Sequence, residues 1–171
     1  MSNLSLMKFY FIDKEKFNNL FKKENIFFLF LILIIFFLDR LSKDKIINNF
    51  NENIFFVNNY VNIDLVWNNG IGFGLLSSDS SIFYNLITLL IIIVILVLIY
   101  VFMNSKKIDK LIFSIIIGGA IGNVSDRVIY KAVPDFIDLH YMNFHWFTFN
   151  VADIFISIGV IIFITKSLFI K

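Results

Sequence analysis

The sequence predicts a membrane all-α fold: four transmembrane helices, both termini cytoplasmic, and a short β-structure on the outer side between the first two helices. Three observations carry this expectation. Of 171 residues, 58% are hydrophobic and only 16% charged, with a mean hydropathy of +0.82, whereas soluble domains hold about 45–50% apolar and about 25% charged residues. Apolar stretches of near-spanning length, about 17–25 residues, recur four times. The segments joining them on one side are rich in Asn and aromatic residues rather than being bare loops.

Residues 1–24 carry five lysines and are expected to form a cytoplasmic extension. The stretch is not expected to be a cleavable signal, because no small-residue site follows its apolar run, which ends in Asp39 and Arg40. The first span, about 25–43, is uncharged from Asn25 to Leu38 and reaches full length only by carrying those two charges into its far end. Short β-prone pieces come next in the chain, Ile54 to Val57 and Ile63 to Trp67, separated by Asn-rich turns. Phe55, Phe56, Tyr60 and Trp67 are expected at the bilayer interface. The second span, about 81–103, lies within 26 consecutive uncharged residues from Ser80 to Ser105. The third, about 111–128, is uncharged from Leu111 to Ser125 and then meets Asp126 and Arg127. A second outer segment, Lys131 to Phe149, reads as extended and aromatic. The fourth span, about 150–169, opens on Asn150 and Asp153, with Lys166 placed to snorkel. The whole of 1–171 is read as one integral membrane domain.

Lys and Arg set the orientation. The N-terminal segment, the 104–110 loop and the C-terminus hold 10 of the 15 basic residues, which assigns them to the cytoplasm, while 9 of the 13 acidic residues fall outside. A net charge of +2 with scattered basic residues does not describe a nucleic-acid binder. With no Cys there is no disulfide framework, thiolate site or cysteine nucleophile, and two His do not make a dedicated zinc site.

An ionisable side chain at membrane depth costs about 2.5–3.5 kcal/mol on insertion scales and so asks for a reason. Asp39 and Lys43, four apart, share a helix face and can pair, as a structural ion pair or as part of a site. Asn68, Gly70, Gly72 and Gly74 form the stretch NNGIGFG, which lacks the strand–loop–helix setting of a phosphate loop. Asn123, Asp126 and Arg127, spaced i, i+3, i+4, lie on one face; Asp126 and Arg127 read either as a packing pair closing the bundle or as site residues. Asp135 and Asp138 come next. Asn150-x-x-Asp153 fits a helix N-cap with an acid at the third position, favoured by the helix dipole. His140 and His145, in an aromatic segment, read as surface residues rather than ligands.

Neither a zinc-peptidase HExxH motif nor a serine nucleophile with an evident base is present. Several carboxylates gathered at one depth remain. Two neighbouring carboxylates share a proton, since both cannot ionise, and one then activates water while the other protonates the carbonyl or the leaving amine. These residues suit a metal-free aspartic peptidase. A rival reading is a small ion- or proton-coupled transporter subunit, which would place its ionisable residues near the bilayer midplane rather than at one interface.

GGAIGNVSDRV (Gly118 to Val128), VPDFIDLH (Val133 to His140) and FNVADIFISIG (Phe149 to Gly159) closely resemble the bacterial lipoprotein signal peptidases, or signal peptidase II. DRLSK (Asp39 to Lys43) and NNGIGFGLL (Asn68 to Leu76) resemble that family's upstream elements, in the family's order. The resemblance spans 39–159 and leaves residues 1–24 outside. It implies an inner-membrane aspartic endopeptidase, its site facing the periplasm, that cleaves diacylglyceryl-modified prolipoproteins before the lipidated Cys. It implies no cofactor and no metal; the expected partners are those substrates and membrane lipid, with no nucleic acid, around a monomer. By resemblance Asp135 and Asp153 are the catalytic pair. Asn123 and Arg127 resemble residues that contact and orient substrate, and Asn68, Gly70, Asn150 and Ala152 resemble the rest of the site, supported by Asp39, Lys43 and Asp126. The chain departs from the family pattern at Arg40, where Gln is usual, Lys131, where Gly is usual, Pro134, where Val is usual, and Phe147, where Pro is often found.

Overall fold

A computed structural model describes residues 23–49, 54–70 and 81–169. The N-terminal extension through residue 22, and Gly72 and Gly74 of the glycine stretch, lie outside the described residues. Helix α1 spans Lys23–Asn49, α2 Ser81–Met103, α3 Lys107–Tyr130 and α4 Val151–Phe169. All four are long and apolar enough to cross a membrane. Two run further than the sequence predicts: α1 six residues past its expected end, and α3 from Lys107, four residues before its expected start. In both cases the extra turns are polar, so hydropathy alone stops short of them.

Helix α3 is the centre of the bundle and packs against α1, α2 and α4. At one end Phe28, Phe102, Ile112, Phe113, Ile116 and Ile117 form the buried core, with Phe28 and Phe102 edge to face at 6.0 Å. Most other large apolar side chains point outward; Leu86, Tyr100 and Phe169 are 58%, 71% and 80% exposed. Such a surface is unstable in water and suited to lipid, whose tails solvate it.

The sheet is larger than the sequence predicts. Four antiparallel strands, β1 (Phe55–Asn58), β2 (Val61–Asn68), β3 (Val133–Tyr141) and β4 (Phe144–Phe149), are joined in the order β1-β2-β3-β4. The expected β-structure between α1 and α2 is thus half of a sheet completed by the segment between α3 and α4. Neither hairpin alone would be stable in water; pairing β2 with β3 joins them.

The turn from α3 into β3 fixes the depth at which the strand begins. Lys131 caps α3 in the left-handed region, at φ 58° and ψ 19°. Pro134 then holds the chain extended, so that Asp135 leaves the helix end directly on a strand.

Candidate active site

Depth brings the polar residues together. Asn123 stands 16 residues from the start of α3, so it lies about 24 Å up that helix, most of the way across a hydrocarbon core about 30 Å thick, and Asp39 of α1 lies at the same level, both held by Lys43. Lys43, fully buried, joins the two helices there. Its ammonium donates to Asp39 Oδ2 at 2.7 Å, Asn123 Oδ1 at 2.9 Å and Asp126 Oδ2 at 2.7 Å. Asp39 turns its other oxygen to the start of α4, accepting from the Ala152 backbone N–H at 2.9 Å. Arg40 donates to the second oxygen of Asp126 at 2.5 Å and lies 3.3 Å from Asp44. The two buried carboxylates Asp39 and Asp126 are therefore balanced by buried Lys43 and partly exposed Arg40, which is what makes ionic groups tolerable at this depth.

Asp126 is not paired with Arg127 as the sequence reading allowed. Successive helical residues point about 100° apart, and Lys43 reaches Asp126 from α1 first. Arg127 instead donates to the Gly70 carbonyl, its guanidinium 5.3 Å from the centre of the Tyr84 ring, and the Tyr84 hydroxyl donates to the Arg127 carbonyl at 3.3 Å. Arg127 thus ties α3 to the end of β2. Tyr84 is a site residue that the sequence reading missed, and nothing in its apolar surroundings marked it.

Asn150 is the hinge of the carboxylate pair. Its side-chain oxygen accepts from the Asp153 backbone N–H at 3.0 Å, and Asp153 Oδ2 accepts from the Asn150 backbone N–H at 3.2 Å, a reciprocal helix cap. The Asn150 amide nitrogen then donates to Asp135 Oδ1 at 2.6 Å. Asp135 Oδ2 accepts from Asn68 Nδ2 at 2.8 Å, while Asn68 Oδ1 accepts from the Gly70 backbone N–H at 2.8 Å. On the other flank Asn123 Nδ2 donates to Asp153 Oδ1 at 2.8 Å. Since Lys43 occupies the Asn123 oxygen, the amide is held with its N–H₂ toward Asp153. The cap expected at Asn150 and Asp153 and the carboxylate pair are one arrangement.

Asp135, on β3 outside the spanning helices, is 2% exposed. Burial pushes its carboxyl up to about 7, aided by the nearby negative charge of Asp153 and opposed by the Asn68 and Asn150 hydrogen bonds. One carboxyl of the pair is therefore poised to hold a proton near neutral pH.

Asp138, three residues beyond Asp135 on β3, lies 2.8 Å from His145 Nδ1. Two expectations are corrected. His140 is not a surface residue, its side chain being only 7% exposed and stacked on His145 at 5.4 Å, because a bulge between Leu139 and His140 breaks the strand alternation. Lys166 does not simply snorkel: it pairs with Asp109 of α3. Among the described residues no three His, Asp or Glu side chains are grouped to hold a metal ion.

The family profile of signal peptidase (SPase) II matches residues 31–169. The chain belongs to the signal peptidase II family. It is 45% identical to the lipoprotein signal peptidase of Pelagibacter ubique (strain HTCC1062), over 82% of this chain and 87% of that one. It is 38% identical to the lipoprotein signal peptidase of Blochmanniella pennsylvanica (strain BPEN), over 85% and 90%. A bacterial membrane enzyme solved by the in meso method at 1.9 Å resolution superposes with a TM-score of 0.70 at 30% identity, covering 84% of this chain and 94% of that one. As a signal peptidase II, the chain is a multi-pass membrane hydrolase of an aspartic peptidase family, which removes signal peptides from prolipoproteins.

Proposed function

We propose that this chain cleaves diacylglyceryl-modified prolipoproteins immediately before the lipidated Cys, with Asp135 and Asp153 as the two catalytic carboxylates. The observation that carries this reading is the Asn150 bridge, which grips Asp135 through its amide nitrogen and Asp153 through the helix cap. Asp153, ionised at the positive end of α4, takes a proton from water, and the water oxygen attacks the scissile carbonyl carbon. Protonated Asp135 gives its proton to the carbonyl oxygen. The tetrahedral intermediate collapses as the C–N bond breaks: the leaving amine takes up the proton held on Asp153, and one hydroxyl returns its proton to Asp135 as the new carboxyl C=O forms, which restores both carboxyls. Asn68 and Asn123 fix the two carboxylates from opposite sides, and Arg127 with Gly70 forms a polar wall for the substrate backbone. Asp39, Lys43, Asp126 and Ala152 are positioning residues that dock α1 and α3 on the start of α4.

Cutting beside a lipidated residue requires a site level with one leaflet, so that the acyl chains stay in lipid while the peptide enters the protein. The excess of Lys and Arg at the opposite end supports an inner-membrane orientation with the site facing the periplasm. Purified enzyme is expected to cut a diacylglyceryl-modified precursor with undiminished rate in EDTA, and to cut the unmodified precursor at least about a hundredfold more slowly. Loss of activity in EDTA restored by zinc would overturn the two-aspartate chemistry; equal rates on both precursors would overturn the placement of the site at the lipid surface.

A further inference from the structure

The end of the bundle opposite the carboxylates carries a feature that proteolysis does not use. A groove of about 460 Å³ runs between α1 and α2 with α3 as its floor, lined by Ile26, Leu29, Ile32, Ile99 and Ile121, with Asn25 as its polar end. From Asn25 to Ile32 it runs along α1 for about 10 Å. Its outer residues face the surroundings of the bundle, Ile26 being 49% and Leu29 55% exposed, so its natural filling is a lipid tail.

The polar end of the groove carries an excess of positive charge. Lys110 donates to Asn25 Oδ1 at 2.7 Å, and its ammonium lies 5.7 Å from the centre of the Phe102 ring. Asn25 and Phe102 both line the groove, so this cation stands at its mouth. Among the described residues no carboxylate lies within 4 Å of Lys110: Asp109, its sequence neighbour, is taken by Lys166. Lys106 and Lys107 are exposed at the start of α3, and Lys23 at the start of α1, which the Asn25–Lys110 bond draws together. Against these four lysines only Glu24 remains without an ion-pair partner among the described residues of these turns. An ammonium held by neutral partners beside an apolar groove matches a molecule with an anionic head and a hydrocarbon tail.

We propose that this groove is a binding site for an anionic phospholipid, one acyl chain lying along Leu29, Ile32 and Ile121 and the phosphate meeting Lys110, with Lys106 and Lys107 adding charge. Charge complementarity chooses this occupant over a zwitterionic lipid, whose choline or ethanolamine would meet the same lysines. Native mass spectrometry of the full chain, incubated with phosphatidylglycerol or phosphatidylcholine of identical chains, tests it. The expected result is one retained phosphatidylglycerol, preferred at least about tenfold over phosphatidylcholine. Lys110→Gln, which keeps a hydrogen bond to Asn25, is expected to reduce that preference at least about fivefold. Leu29→Trp, which fills the groove, is expected to reduce retention of both lipids. Lys107→Gln, an exposed change that leaves packing untouched, is expected to weaken the preference about twofold. Equal retention of the two lipids, or an unchanged preference in both lysine variants, would overturn the proposal. So would photocrosslinking from position 29 that captures the chain's own N-terminal residues or a substrate signal peptide in place of lipid.

Discussion

At Asp135 two demands meet in one carboxyl: burial and the charge of Asp153 favour its proton, while Asn68 and Asn150 hold it in place. With its titration near 7, the acid form is populated below that pH and lost above it. Measured from pH 5 to 9, kcat/KM is therefore expected to fall on the alkaline side with a midpoint near 7, approaching tenfold per pH unit; a flat profile from pH 6 to 9 would remove Asp135 as the acid. Folded-state stability has the same sign, because the folded pKa is raised: the contribution of this group is complete below the unfolded value of about 3.9 and lost as pH rises through about 7. The buried cluster behind the site is unequal in its parts. Lys43→Met removes the cation shared by two buried carboxylates and is expected to cost about 3–5 kcal/mol, whereas Arg40→Gln, at a partly exposed side chain, is expected to cost about 1 kcal/mol in thermal unfolding. Equal losses would show that Asp126 depends on Arg40 as much as on Lys43. The Asp39–Lys43 pair was legible in the sequence because its geometry is local, four residues on one helix. The partners of Asp126 were not, since Lys43 and Arg40 lie 83 and 86 residues away and only the packing of α1 on α3 selects them over adjacent Arg127.

Between elements, close approach does the positioning. A Cβ on Gly119 would meet the Ala152 carbonyl oxygen at 2.6 Å, so α4 can begin against α3 only because that side chain is missing. Gly119→Ala is expected to cost about 1–3 kcal/mol by overpacking and to lower kcat more than it raises KM, since Ala152 adjoins Asp153. A change confined to stability would mean that the start of α4 can shift without disturbing the site. At the C-terminal end of α3, Lys131 holds a left-handed conformation that suits Gly. Lys131→Gly is expected to raise stability by about 0.5–1 kcal/mol in the same unfolding measurement, and a loss there would mean that the lysine side chain contributes a contact of its own. The helices, the cap at Asn150 and the extended path after Pro134 were legible because each arises from a local rule of hydropathy, capping or fixed φ. The single sheet was not: joining two hairpins 65 residues apart, at pairs such as Asn68 and Val133, requires the α2–α3 turnabout that returns the chain to the same end.

For the whole molecule, four membrane-length helices serve to hold a few polar groups at one depth. Helices α1 and α3 rise in parallel to deliver Asp39, Lys43, Asn123 and Asp126 to the level at which α4 begins, and the sheet brings Asn68 and Asp135 in from the side. Asp135 and Asp153 thus belong to different elements, meet through Asn150, and have the cation-balanced cluster behind them. The most direct measurement is cleavage of a diacylglyceryl-modified precursor by Asp135→Asn, Asp153→Asn, the double variant and Asp126→Asn, each first checked for folding by thermal unfolding in detergent. If the pair acts as a unit, each catalytic single variant is expected to lose at least about a thousandfold in kcat while remaining folded, with the double variant scarcely worse. Asp126→Asn is expected to lose stability along with activity. A folded Asp135→Asn enzyme with near-normal turnover, beside a folded and inactive Asp126→Asn, would contradict the assignment and make Asp126 the partner of Asp153.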